Sequence, residues 1–137
     1  MTETNTGRRG SALSIMLVDD QPVIRQGLRL LLETEPYAEV VGEAGSAAEA
    51  LALAQRLRPD LVVMDVEMHG MDGITATSLL RAALPACETI ILTARADAAT
   101  SARAMAAGAR AIIEKSNPDN LLAALRKARD EINPAPS

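Results

Sequence analysis

The stretch Asp60-Leu61-Val62-Val63-Met64-Asp65 decides the fold. Four apolar residues in a row are too few for a buried helix and lack the alternation of a half-solvated strand. Such a run is a strand covered on both faces, as in a parallel sheet clad with helices. It ends abruptly on a carboxylate. In open α/β sheets, ligands bind outside the C-terminal ends of the strands, so Asp65 is a candidate site residue.

Working outward, the same pattern recurs. Ile15-Met16-Leu17-Val18 stops at Asp19-Asp20, Thr89-Ile90-Ile91-Leu92 stops at Thr93, and Ala111-Ile112-Ile113 runs toward Lys115. A further strand is expected over about Glu39 to Glu43. Helical periodicity fills the gaps. One helix starts at Pro22, carries Ile24, Leu28, Leu31 and Leu32 on one face, and is stopped by Glu35-Pro36. Ser46-Ala47-Ala48-Glu49 is a capping box opening a second helix that bears Ala47, Leu51, Ala54 and Leu57, with Pro59 beyond its end. Asp72 caps a third. A fourth runs from about Asp97 to Ala107 and closes on Gly108, and a fifth starts at Asn117-Pro118 with Leu121, Leu125, Ala128 and Ile132 on one stripe. Five strands alternating with five helices predict an α/β domain, a five-stranded parallel sheet with helices on both faces.

Residues 14–132 are expected to form the domain. Residues 1–13 read as a disordered arm, and 133–137 as a tail or the start of a linker to a missing output domain. With aromatics at 1% and hydrophobic residues at 48%, the core must be aliphatic. Met16, Met64, Met68, Met71 and Met105 are expected to pack, and Arg95, Arg103 and Arg110 to face solvent near the fourth helix as a partner surface. The single cysteine, Cys87, excludes an internal disulfide. A net charge of −4 argues against direct nucleic-acid binding by this domain. No apolar run approaches the ~20 residues that span a bilayer, and the N-terminus is not a signal peptide, so a cytoplasmic protein is expected.

Polar residues thus end four strands: Asp19 and Asp20, Asp65, Thr93 and Lys115. With strand order 2-1-3-4-5, the first and third strands are neighbours and their three acids converge. Three carboxylates in one crevice repel one another unless protonated or bridged by a cation. Mg²⁺ suits such a site, being commonly held by one or two carboxylates plus phosphate and water. A carboxylate beside it can attack a phosphoryl group and form an acyl phosphate. The Lys115 ammonium can neutralise charge there and the Thr93 hydroxyl can donate to a phosphoryl oxygen.

At this point the chain resembles the receiver domain of two-component response regulators. The carrying stretches are Met16-Leu17-Val18-Asp19-Asp20, Asp60 through Asp65 running on to Gly70-Met71-Asp72-Gly73, Leu92-Thr93-Ala94, and Gly108-Ala109 leading to Lys115. They cover roughly residues 13–131 in the family's order and spacing. The resemblance implies a flavodoxin-like (βα)5 fold with Asp65 as phosphoacceptor. It implies Mg²⁺ on Asp20, Asp65 and the backbone carbonyl of Glu67, with Asp19 acting through water. Thr93 would be the switch hydroxyl and Lys115 the phosphate's partner. Asp20-Gln21-Pro22, Arg25, Gly27-Leu28, Val40 through Ala44 and Lys115-Ser116 resemble the NarL/FixJ-like subfamily.

The implied function is acceptance of a phosphoryl group from a histidine kinase and switching of an output or partner surface for transcription control. The partner would be a second copy of the chain or a C-terminal helix-turn-helix domain, engaged through the fourth helix, fifth strand and fifth helix. The domain would promote only its own Mg²⁺-dependent phosphorylation and dephosphorylation. A stand-alone receiver acting as a phosphorelay carrier or protein-binding switch is the alternative. An aspartyl phosphatase, with Glu67 as its second acid, and a receiver locked in one state are two more. Three positions depart from the family pattern. His69 replaces a usual Pro, Ile112 stands where an aromatic couples to the switch Thr, and Ser116 replaces a Pro found in many relatives. A trans bond is expected between Lys115 and Ser116, because cis before a non-proline residue costs about 3 kcal/mol.

Overall fold

The computed structural model describes residues 12–68 and 72–132. The strands are β1 (Leu13–Val18), β2 (Ala38–Ala44), β3 (Leu61–Asp65), β4 (Glu88–Thr93) and β5 (Ala111–Glu114). The helices are α1 (Pro22–Leu32), α2 (Ala47–Leu57), α3 (Gly73–Ala83), α4 (Ala98–Ala106) and α5 (Pro118–Ile132). All strand pairings are parallel, in the order β2-β1-β3-β4-β5, as expected. β1 starts earlier than its apolar run suggested. Leu13, read as part of the arm, is the strand's first residue and fully buried, and its N–H donates to the Tyr37 carbonyl at 2.9 Å. The rest of the arm up to residue 11, the tail 133–137, and His69, Gly70 and Met71 lie outside the described residues.

Strand side chains alternate between two faces, and the core divides accordingly. Ile15, Leu17, Leu61, Val63, Ile90 and Leu92 meet Leu32 of α1 and Leu121, Leu125 and Ala128 of α5. Met16, Val18, Val62 and Met64 meet Ala47, Ala50 and Ala54 of α2 and Ala76 and Leu80 of α3. Small alanines let α2 approach the sheet closely. Ile91 packs with Ala104 of α4 and Ile74 of α3. Each large apolar side chain so buried contributes roughly 1.5–3 kcal/mol.

Ser46 and Asp72 cap their helices as expected, and Asp97, expected as the start of the fourth helix, is its cap; each accepts from the backbone N–H three residues on. The Glu49 carboxylate reaches back to the N–H of Gly45 rather than of Ser46. α2 ends on Arg58 in the left-handed region (φ 50°), just before Pro59, and Gly108 takes φ 103° after α4. Among the described residues no peptide bond is cis, so Lys115–Ser116 is trans.

Two side-chain expectations fail. Arg110 does not face solvent: it is largely covered and paired with Glu88 at 3.3 Å and Glu131 at 2.7 Å, because β5 is an edge strand flanked by the end of α5. Met105 is half exposed rather than packed, since Ala104 takes the inward position on short α4. Ile24 also stands partly open, along a groove of about 380 Å³ between α1 and α5.

Candidate functional site

The reversal of strand order between β1 and β3 brings the strand-end acids together. One carboxylate oxygen from each of Asp19, Asp20 and Asp65 lies within 4.8 Å of the others. Asp19 and Asp65 are each only 1% exposed. Their Oδ1 atoms are held from the local chain: Gln21 N–H donates to Asp19 at 2.9 Å and Glu67 N–H to Asp65 at 3.0 Å. Asp19 Oδ2 and Asp65 Oδ2 are buried with no hydrogen-bond partner. Leaving a carboxylate oxygen in that condition is costly, and two such atoms beside a third acid form the donor set a hard divalent cation needs. The residues present therefore fit Mg²⁺.

Lys115 follows β5 and reaches across the strand ends, its Nζ 2.9 Å from Asp65 Oδ1 and 3.8 Å from Glu67 Oε1. Burial pushes the Asp65 carboxyl above the usual range; Asp19's charge adds to this, while Lys115 and the Glu67 N–H oppose it. For Lys115, burial pulls downward, but the hydrogen bond and charge of Asp65, with Asp19 and Glu67, outweigh it and hold the ammonium above its ordinary value. With an ammonium at 2.9 Å, the charged pair is the form that the geometry supports. Thr93, 1% exposed at the end of β4, shares its hydroxyl between Glu67 Oε2 and the Arg95 carbonyl, each 3.2 Å away.

All the residues singled out from the sequence, Asp19, Asp20, Asp65, Glu67, Thr93 and Lys115, end strands or begin loops on this one side of the sheet. Three contacts were not foreseen. Arg25 of α1 donates to the Asp19 carbonyl and pairs with Glu43 at 3.2 Å, fixing the acidic loop to β2. Glu114 accepts from Ala96 N–H at 2.9 Å and so ties the loop after Thr93 to β5. Gly73 lets α3 start against the Asp65 backbone. Arg25 stood out in the sequence only as a subfamily mark and Gly73 only as part of a family stretch; Glu114 had no signal there. Ile112, in contrast, is half-buried packing against the cluster of Val66, Ile74, Ile91, Ala104 and Ala109. The α1–α5 groove reaches Lys115, but its walls are mostly apolar, with Val23, Ile24, Leu28, Leu92 and Leu121 and a single acid, Glu114. The chemistry lies at the strand ends instead.

The chain belongs to the response regulator receiver domain family, whose model matches residues 15–126. It is 42% identical over 114 residues to the nitrate/nitrite response regulator protein NarP of Escherichia coli (strain K12), covering 82% of this chain and 53% of that protein. A two-component response regulator of the LuxR family from Aurantimonas sp. SI85-9A1 superposes with a TM-score of 0.85 at 38% identity, covering 88% of this chain and 87% of that one. These likenesses support the NarL/FixJ-like subfamily. A protein-glutamate methylesterase/protein-glutamine glutaminase of Myxococcus xanthus (strain DK1622) is 39% identical over 108 residues, 78% of this chain and 31% of that protein. The chain thus spans about half the length of the regulator NarP and about a third of the methylesterase. Among the described residues, no helix is long and apolar enough to cross a membrane.

Proposed function

We propose that Asp65 accepts a phosphoryl group from a histidine kinase and that the resulting rearrangement switches a surface used for transcription control. One observation carries this reading: a buried carboxylate holds Lys115 on one oxygen and leaves the other without a partner beside two further acids. Asp20, Asp65 and the Glu67 carbonyl would hold Mg²⁺, with Asp19 acting through water, and the ion would supply the charge neutralisation that phosphoryl transfer requires. Lys115 and the Glu67 N–H orient Asp65 for in-line attack. A carboxylate oxygen of Asp65 forms the new O–P bond as the donor's P–N bond breaks, and the electron pair returns to the donor nitrogen. Lys115 is near enough to follow the charge onto the phosphoryl oxygens, and Thr93 stands ready to donate to one of them. The domain acts on its own aspartate and turns over no outside substrate.

The likeness to NarP and to a LuxR-family regulator favours a DNA-binding output, joined or released through α4, β5 and α5 as phosphate shifts an existing equilibrium. Intact-mass measurement after treatment with a small phosphodonor and Mg²⁺ tests the site. One phosphoryl group is expected on the wild type and none on Asp65→Asn, whose amide cannot form an acyl phosphate. Equal, equally stable labelling of Asp65→Asn would remove the assignment.

A further inference from the structure

We infer that Glu67 is a built-in competitor for the phosphoryl group: its carboxylate accepts from the Thr93 hydroxyl and lies within ion-pair range of Lys115, and it must be displaced from Thr93 for the switch to close. The inference rests on Asp65 being the phosphoacceptor and deepens that reading.

The two oxygens of Glu67 are differently engaged. Oε2 lies 3.2 Å from the Thr93 hydroxyl and Oε1 lies 3.8 Å from Lys115 Nζ. Those two side chains are the groups that the proposed chemistry needs on the phosphoryl group. A threonine hydroxyl has one proton. It can go to Glu67 or to the Arg95 carbonyl, both at 3.2 Å, and the charged acceptor makes the stronger bond. The Glu67 carboxylate thus keeps Thr93 committed while Asp65 is bare.

The occupant is also placed to leave. The Glu67 side chain is 56% exposed, whereas Asp65 and Thr93 are buried. A phosphoryl group brings ≈ −1.5 to −2 charge, and like charges that close disfavour one another. Glu67 can turn into solvent, and Thr93 is then released, while Lys115 stays on Asp65 Oδ1. Only Val66 separates Glu67 from Asp65, and the Glu67 N–H is bonded to Asp65 Oδ1, so the Glu67 backbone stays at the site whichever way its side chain turns.

Calorimetric titration of the full chain with beryllofluoride in the presence of Mg²⁺ tests this. Glu67→Gln keeps the shape and removes the charge. It should bind beryllofluoride about tenfold more tightly than wild type, the scale of one charge-assisted hydrogen bond no longer in competition. In a Thr93→Ala background most of that gain should vanish, since the two positions act through one contact. In metal-free protein the Thr93 methyl resonance should also move on Glu67→Gln. Unchanged or weaker binding by Glu67→Gln, an equal gain with and without Thr93, or a stationary Thr93 methyl would each overturn the inference. Wild type that binds Mg²⁺ but no beryllofluoride would instead overturn the phosphoacceptor reading itself, and the inference with it.

Discussion

A Cβ placed on Gly73 would stand 2.3 Å from the backbone carbonyl oxygen of Asp65. The first residue of α3 and the last of β3 are therefore in direct backbone contact, closed further by the Gly73 N–H donating to the Val66 carbonyl at 3.1 Å. No side-chain rotation relieves a clash with main chain.

Gly73→Ala should accordingly push the Asp65 loop and α3 apart. Overpacking of this kind costs about 1–3 kcal/mol. Urea denaturation should show a lower midpoint at unchanged slope, and phosphorylation by a small donor should slow. A variant as stable and as reactive as wild type would mean that the loop and helix adjust freely.

Mg²⁺ should stabilise the fold, because it relieves two buried unpartnered carboxylate oxygens and the mutual repulsion of three acids. A ligand at a hundred times its dissociation constant adds about 2.7 kcal/mol. The melting temperature should rise with Mg²⁺, fall back with chelator, and lose most of that response in Asp20→Ala. A melting temperature indifferent to Mg²⁺ in the wild type would contradict the metal site.

Stability should fall above about pH 9. Burial pushes the Tyr37 phenol up to about 12 from its ordinary 10.0, with Glu35 adding to it, and burial pushes the Cys87 thiol up to about 11 from 9.0. Both groups hold their protons more tightly when folded. Their contributions are complete below the ordinary values and are lost as pH rises through the folded ones, since the unfolded chain releases its protons first. Tyrosinate absorbance reports Tyr37 alone, as the chain has a single Tyr and no Trp. Ionisation of the native phenol near its ordinary value, or rapid alkylation of native Cys87 near neutral pH, would refute this.

Glu114→Ala should loosen the loop between Thr93 and α4. The variant removes the acceptor of the Ala96 N–H, a partly covered bond of 2.9 Å. Exchange of the Ala96 amide with solvent should quicken, while global stability changes by only about 1 kcal/mol. Unchanged protection at Ala96 would show that Glu114 does not anchor the loop.

Most of the fold was legible in the chain, and Asp65 shows why. A buried strand in a parallel sheet must be apolar throughout, so its end is marked wherever a charged or polar residue appears. Asp19, Asp65 and Thr93 mark three such ends, and Lys115 stands just beyond a fourth. Helix starts were equally local, since a cap bonds only three residues ahead, as Ser46, Asp72 and Asp97 do. The candidate site followed from the same marks once strand order was assumed.

Tertiary structure decided what those marks touch. Periodicity assigns a residue to a face but not to a neighbour on another element. Arg110 looked like a solvent-facing arginine until the edge of β5 and the end of α5 put Glu88 and Glu131 beside it. Leu13 looked like arm until the Tyr37 carbonyl bonded its N–H. Glu67 read as a backbone metal ligand, or as a phosphatase's second acid, and nothing in its spacing joins its side chain to residues 26 and 48 positions away. The chain alone determined which residues end the strands, because that is written in local polarity. Only the packing of five strands side by side decided that Glu67, Thr93 and Lys115 meet at Asp65, because contact across a sheet depends on register and approach distance, which no local pattern carries.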